Sequence, residues 1–131
     1  MGSKAKIDFY GSSELLKRLE AAGANVEKCI VDALQKSVEK PKEEMLQYIK
    51  QHKLTGQTEE SFTTEIKHEG NKIYLKVGFD IKKGGIAAIF LNYGTPKIAP
   101  SFFIDNAIDH NIDEIKRAQL QTLNEAFEGL R

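Results

Sequence analysis

The chain has 131 residues, 40% of them hydrophobic and 29% charged, which is typical of a globular rather than a disordered protein. Its 19 basic and 19 acidic residues cancel, which argues against a protein whose main task is to neutralise nucleic-acid phosphates. No apolar run approaches the roughly 18 residues of a membrane-spanning helix, and Cys29 is the only cysteine. We therefore predict one soluble domain over residues 1–131, made in a reducing cytoplasm, without a membrane or specific nucleic-acid partner.

The N-terminal part is predicted to be helical after a short lead-in over residues 1–10. Ser12 or Ser13 can cap the start of a helix, and apolar residues then recur in steps of three and four. Lysine, arginine, glutamate and glutamine fill the other face, so the pattern predicts an amphipathic helix over residues 13–51. Its apolar positions are Leu15, Leu19, Ala22, Val26, Ile30, Ala33, Leu34, Val38, Met45 and Ile49.

Two features interrupt this helical pattern. Gly23 disfavours a continuous helix, and Asn25 can cap a second one directly after it. Pro41 removes a backbone donor and crowds the preceding turn, so we expect a kink near residues 37–41. A straight helix over residues 13–51 would be about 60 Å long, at about 1.5 Å per residue, which exceeds the width of a domain of this size. The helix must either bend or project and pack against another copy.

The clearest local signal is a pair of alternating segments on either side of Gly70-Asn71. Apolar and polar side chains alternate over residues 62–68 and again over residues 73–79. A two-residue turn with glycine first is typical of a type II′ β-hairpin, so we predict a hairpin over residues 62–79. In this register the pairs on one face are Phe62–Phe79, Thr64–Val77 and Ile66–Leu75, and Glu65 faces Lys76 on the other.

The C-terminal half is predicted to contain a loop, a buried segment and a helix. Lys82, Lys83, Gly84 and Gly85 have the composition of a mobile loop. Residues 86–95 are almost wholly apolar up to Tyr93, which predicts burial but leaves strand and helix both open.

After an ordered turn over residues 95–100, Ser101 can cap a helix over residues 101–128. Phe102 and Phe103 are expected to anchor its first turn in the core. The apolar positions of this helix are Ile104, Ala107, Ile108, Ile112, Ile115, Leu120, Leu123 and Phe127. We predict an α+β fold with a long kinked N-terminal helix and a C-terminal helix packed on a small antiparallel sheet built around the hairpin.

Residues with catalytic or ligand-binding chemistry are sparse. The three histidines, His52, His68 and His110, lie far apart, and none belongs to the three or four ligands that a metal site needs. Cys29 falls near the apolar stripe of the first helix and is expected to be a small buried thiol. Lys82 and Lys83 precede their glycines, whereas the lysine of a phosphate loop follows them. We predict no catalytic residues, no metal, no cofactor and no enzymatic activity.

Short motifs recur in an order that spans most of the chain. A Thr-Gly step is followed five residues later by a serine that enters the hairpin, which ends in Val-Gly. A small apolar segment then closes in Tyr-Gly-Thr, and a phenylalanine and an alanine open the last helix. These positions are Thr55, Gly56, Ser61, Val77, Gly78, Tyr93, Gly94, Thr95, Phe103 and Ala107.

In this order and spacing, the chain resembles the small head–tail joining proteins (neck or tail-completion proteins) of long-tailed bacteriophages and prophages. It departs from their pattern at Asn92, where an acidic residue is common, and at Ser101-Phe102, which replaces Arg-Pro. The resemblance implies a structural protein of the virion, located at the head–tail junction after synthesis in the bacterial cytoplasm. Its partners would be further copies of itself, in a ring, and neighbouring head-connector and tail proteins.

Two surfaces are expected to contribute to such contacts. They are the loop from Lys82 to Gly85 and the helix from Ala33 to Ile49.

Two other functions stay open. One alternative is a small regulatory protein-binding module. The other, which we rank lower, is a metal-dependent nuclease, for which four side chains would have to converge in one cleft. Those four are Asp80, Asp105, Asp109 and His110.

Overall fold

The computed structural model describes residues 5–52 and 56–130. It is an α+β fold in which helices pack on a small antiparallel sheet, as predicted. Thr55, the first residue of the Thr-Gly step, lies outside the described residues. The elements in chain order are β1 (Lys6–Asp8), α1 (Ser13–Ala21), α2 (Val26–Ser37), α3 (Glu39–Gln51), α4 (Gly56–Glu60), β2 (Phe62–Glu69), β3 (Lys72–Phe79), a 3-10 turn (Ile81–Lys83), α5 (Ile86–Tyr93), α6 (Phe103–His110) and α7 (Ile112–Glu128).

The sheet has the strand order β1-β3-β2 and contains the predicted hairpin in the predicted register. Phe62 faces Phe79, Ile66 faces Leu75, and Glu65 faces Lys76. Gly70 has a φ of 61°, and it is the only residue of the two-residue turn in the left-handed region. This is the pattern of a type II′ turn, whose backbone matches the twist of the flanking strands.

The prediction that residues 1–10 form only a lead-in was wrong. Lys6–Asp8 form β1, which pairs antiparallel with β3 and places Ile7 in the core. The Gln119 side chain, which is 1% exposed, holds the end of this strand against α7. Its amide nitrogen donates to the Asp8 carbonyl (2.9 Å) and its oxygen accepts from the Tyr10 N–H (2.7 Å). Burial raises the pKa of the Tyr10 hydroxyl above the ordinary value of tyrosine, and the negative charges of Asp8 and Asp109 raise it further.

The predicted interruptions of the N-terminal helix are confirmed. α1 ends before Gly23, and the Asn25 side chain accepts from the Lys28 N–H (3.1 Å) to cap α2. α2 and α3 bend at Val38, and Pro41 sits in the first turn of α3. A proline there removes no bond within that helix, because the N–H groups of a first turn have no intrahelical partner.

The bend folds the apolar stripe of α2 and α3 onto the core of the same chain. Leu34, Met45 and Ile49 are fully buried there, and α2 packs against α7 and the sheet while α3 packs against α6. Of the two alternatives, the helix therefore bends instead of projecting its apolar stripe toward another copy, and the expectation that residues 33–49 contribute a contact surface stays a prediction.

The predicted C-terminal helix over residues 101–128 is two helices. α6 ends at His110 and α7 begins at Ile112. Between them the Asn111 side chain donates to the Ala107 carbonyl (2.7 Å) and to the Glu44 carboxylate of α3 (3.2 Å). Asparagine side chains that bond nearby backbone compete with helix continuation, which accounts for the break.

The buried residues form two groups. The larger joins the sheet to α2, α3, α5, α6 and the start of α7, and the smaller lies between α1, α2 and α7 around Leu19, Ala33 and Leu123. Cys29 packs against the smaller group but is only half-buried, less than predicted. No helix within residues 5–52 or 56–130 combines the length and apolar character needed to cross a bilayer.

A candidate protein-interaction surface on α5

The apolar segment 86–95, predicted to be buried, contains the helix α5, which is buried on one face only. Ala88, Ile89 and Asn92 face the core. Ile86, Phe90 and Tyr93 are exposed, and their spacing of four and three residues places them on one opposite face of the helix. A helix that is almost wholly apolar is normally enclosed, so the exposed face of α5 has the composition of a contact surface.

Exposed large apolar side chains are concentrated around this helix. Six of the nine in the described part of the chain come from residues 81–102. Single exposed apolar residues are ordinary on protein surfaces, whereas a local concentration marks an interaction site. We call these six residues the α5 patch. They are Ile81, Ile86, Phe90, Tyr93, Ile98 and Phe102.

The segment before α5 is an ordered turn rather than the predicted mobile loop. The Asp80 carboxylate accepts from the Lys82 N–H (2.9 Å), and the Asp80 carbonyl accepts from the N–H groups of Lys83 (3.0 Å) and Gly85 (2.9 Å). Gly84 has a φ of 96°, and a Cβ on Gly85 would come within 2.7 Å of the Asp80 carbonyl oxygen. The two glycines therefore form the turn, while the side chains of Lys82 and Lys83 remain exposed beside the α5 patch.

The Tyr93-Gly94-Thr95 motif turns the chain sharply after α5. Gly94 has a φ of 80°, and a Cβ there would lie 2.8 Å from the Ile98 carbonyl oxygen and from the Pro100 nitrogen. The Thr95 hydroxyl accepts from the Ile98 N–H (3.0 Å), in the predicted ordered turn. Only glycine fits this approach, and the turn brings Ile98 to the surface after α5.

Asn92 connects α5 to α6. Its side chain is fully buried, and its oxygen accepts from the Ile104 N–H (2.9 Å) at the start of α6. Its amide nitrogen donates to the Asp105 carboxylate (3.4 Å), and its carbonyl accepts from the Phe102 N–H (3.0 Å). The side chain at which this chain departs from the motif thus caps the next helix from outside, while the Ser101 hydroxyl accepts from the Phe103 N–H (3.4 Å), as predicted.

The residues that lead into α6 differ from the prediction in one respect. Phe103 is buried and stacks on Tyr48 (4.6 Å between ring centroids), as an anchor should. Phe102 is 47% exposed and has a φ of 54°, the only left-handed residue other than glycine among those described. A bulky residue in that conformation is strained, and such strain concentrates at functional sites.

The remaining motif positions have structural roles. Gly56 is the first residue of α4, and Ser61 is buried with its hydroxyl donating to the Thr58 carbonyl (2.6 Å). Val77 and Gly78 are buried in β3, and Ala107 is buried in α6. Together with Gly94, Thr95 and Phe103, these residues belong to the framework that supports α5. Within Tyr93-Gly94-Thr95, Tyr93 is the exposed residue.

The four side chains that a nuclease would require do not form a site. Asp80 caps the 3-10 turn, Asp105 accepts from Asn92, and the His110 ring lies 3.2 Å from the Glu44 carboxylate. Within the described ranges, no three His, Cys, Asp or Glu side chains are grouped so that they could hold a metal ion.

No protein-family model matches the chain, and no curated protein or solved structure matches it either.

Proposed function

We propose that this protein is a structural component of the head–tail junction of a tailed bacteriophage or prophage, and that it acts through protein–protein contacts. The α5 patch is the observation that supports the proposal, because it is an apolar surface held in place by ordered turns and by the contact of α5 with α6. The order of the sequence motifs, from Thr55 to Ala107, supplies the resemblance to head–tail joining proteins.

The framework around the α5 patch supports a role in binding rather than in packing alone. The helix α5 is flanked by turns that only glycine permits, at Gly85 and Gly94, and the patch includes the strained Phe102. Rigid elements that present apolar and aromatic side chains have the character of interface hot spots. In the virion the partners would be further copies of the chain and the adjacent head-connector and tail proteins. Lys82 and Lys83 would lie at the rim of these contacts.

The proposal is tested by locating the protein in tailed particles. Antibody-labelled electron microscopy of particles induced from the cell that carries the gene should place the label at the head–tail junction. Tailed particles that assemble without the protein would contradict the proposal.

The role of the α5 patch is tested by a matched pair of substitutions. Phe90 on α5 is 48% exposed and Leu120 on α7 is 51% exposed, and Leu120 lies outside the patch. Phe90→Ser should abolish the formation of complete tailed particles, whereas Leu120→Ser should leave it intact. Both variants should unfold within about 0.5 kcal/mol of the unmodified protein in urea, as expected for surface changes. Equal effects of the two substitutions on particle assembly would remove α5 from the proposal.

A further inference from the structure

The strand β2 forms a long, regular edge of the sheet. It runs over the eight residues Phe62–Glu69, and its register with β3 continues without a bulge from Phe62 to Glu69. No proline interrupts it. The opposite edge, β1, has only three residues. Exposed edges of this length are templates for pairing with another strand unless a proline, a bulge or a covering element blocks them.

The direction of the free backbone groups on β2 follows from two hydrogen bonds. The Asp80 N–H donates to the Ser61 carbonyl, so the odd-numbered residues of β2 bond to β3. The Val77 N–H donates to the Ala5 carbonyl, which confirms the same alternation on the other side of β3. The N–H and C=O groups that point away from β3 therefore belong to the even-numbered residues, which are Phe62, Thr64, Ile66 and His68.

The side chains of β2 are also incompletely covered. Phe62, Thr64 and Ile66 face the core side of the sheet but are only half-buried, whereas their partners Leu75, Val77 and Phe79 on β3 are buried. Two charged side chains reach β2 from the helices, at its two ends. Glu27 lies 3.6 Å from the His68 ring, and the Lys42 ammonium lies 5.1 Å from the centre of the Phe62 ring. At the centre of the strand Ile66 is only half-buried, and Glu65 and Lys67 on the outer face pair with each other (3.0 Å) rather than with a helix of the described residues.

We propose that β2 pairs antiparallel with β2 of a second copy about a two-fold axis at Ile66, which joins two three-stranded sheets into one of six strands. The charges on the outer face are complementary in this register and disfavour a shift of the axis by one residue. With Ile66 opposite Ile66 of the second copy, Glu65 faces Lys67 of the second copy, and Lys67 faces its Glu65. Shifting the axis to Glu65 or to Lys67 would place like charges opposite each other, which is destabilising. The contact is isologous and closes as a dimer.

This pairing does not rest on the proposed function, because the β2 edge and the α5 patch are separate surfaces. Phe90→Ser should therefore leave the dimer intact even if it prevents assembly of tailed particles. Sedimentation velocity on this variant reports the dimer, and the particle assay reports assembly, so failure of one proposal can be separated from failure of the other.

Complementary charge reversals test the pairing. Glu65→Lys gives a chain with lysine at positions 65 and 67, and Lys67→Glu gives a chain with glutamate at these two positions. Copies of each variant should repel one another. The dissociation constant of the variant dimer should therefore be at least about tenfold higher than that of the unmodified protein. An equimolar mixture of the two should recover the dimer as a heterodimer, because every facing pair then has opposite charges. Sedimentation velocity over a range of concentrations measures each of these states.

Two further variants guard against misfolding and general charge effects. Lys17→Glu makes the same charge change on an exposed position of α1 and should leave the dimer unchanged. Thr64→Pro removes an N–H that faces away from β3, so it should block dimerisation while circular dichroism shows a folded chain. An unmodified protein that stays monomeric over the whole concentration range would overturn the proposal. The β2 edge would then pair with a strand other than β2 of a second copy. A dimer that survives both charge reversals, or a mixture that fails to restore it, would also overturn it.

Discussion

The α2–α3 pair and α5 are both built on apolar residues, but they use them differently. In α3, Met45 and Ile49 face the core and are fully buried, and charged side chains cover the outer face. α5 has no charged residue over Ile86–Tyr93, and Phe90 remains in solvent although Ala88 on the opposite side is buried. An amphipathic pattern therefore identifies a core face, whereas an almost wholly apolar pattern leaves one face for the fold or for a partner to cover.

Removing core volume from α3 should have the largest effect on stability. Met45→Ala should lower the free energy of unfolding by about 2–5 kcal/mol, because a fully buried side chain is replaced by a cavity. Ile86→Ala, on the exposed face of α5, should change it by no more than about 0.5 kcal/mol. Urea denaturation of the two variants provides the measurement. Equal losses would contradict the distinction between the two helices.

Removing the buried amide that joins α5 to α6 should have an intermediate effect. Asn92→Leu leaves the Ile104 N–H without its acceptor in a buried position, which should cost about 1–3 kcal/mol of unfolding free energy. Asn124→Leu, a change of the same type on an exposed part of α7, serves as the control. If thermal unfolding shows the same stability for both variants, Asn92 does not hold the α5 patch in place.

Relieving the strain at Phe102 should have the smallest effect and the opposite sign. Glycine adopts positive φ angles without strain, so Phe102→Gly should raise the free energy of unfolding by up to about 1 kcal/mol. The same change removes an exposed aromatic ring from the α5 patch and should impair assembly of tailed particles. A variant that is less stable in urea denaturation would show that Phe102 contributes packing instead of strain.

Much of the fold was predictable because its signals are local. The turn residues Gly70-Asn71 and the alternation on both sides determine the hairpin register within 18 residues of sequence. Gly23, Asn25 and Pro41 act on their own helical turns, so the break before α2 and the bend near residue 38 were predicted as well.

The errors concern contacts between distant parts of the chain. The three residues of β1 are too few for a periodic signal, and they become a strand only because β3 offers an unpaired edge. Leu120 was assigned to the inner face of the last helix but is exposed, while the polar Gln119 is buried. Gln119 is accommodated because Asp8 and Tyr10 supply its hydrogen-bond partners, which no feature near residue 119 indicates.

The candidate surface was predictable only in part. Lys82 and Lys83 were singled out by their composition and are exposed, but the apolar composition of α5 predicted burial and concealed its outer face. Its exposure follows from where α4, α6 and the 3-10 turn contact the helix. No sequence signal indicates the left-handed conformation of Phe102. The backbone there is held by hydrogen bonds from the N–H groups of Phe102 and the residue before it to the carbonyls of Asn92 and Leu91.

The sequence by itself determined the elements whose causes lie within a few residues of one another, namely the hairpin, its register, the helix breaks and the helical repeats. Only the tertiary structure decided which apolar faces are enclosed, which polar side chain is buried, and which strand is left at an edge. The reason is that burial depends on a second surface, and that surface is supplied by residues far away in the chain or by another molecule.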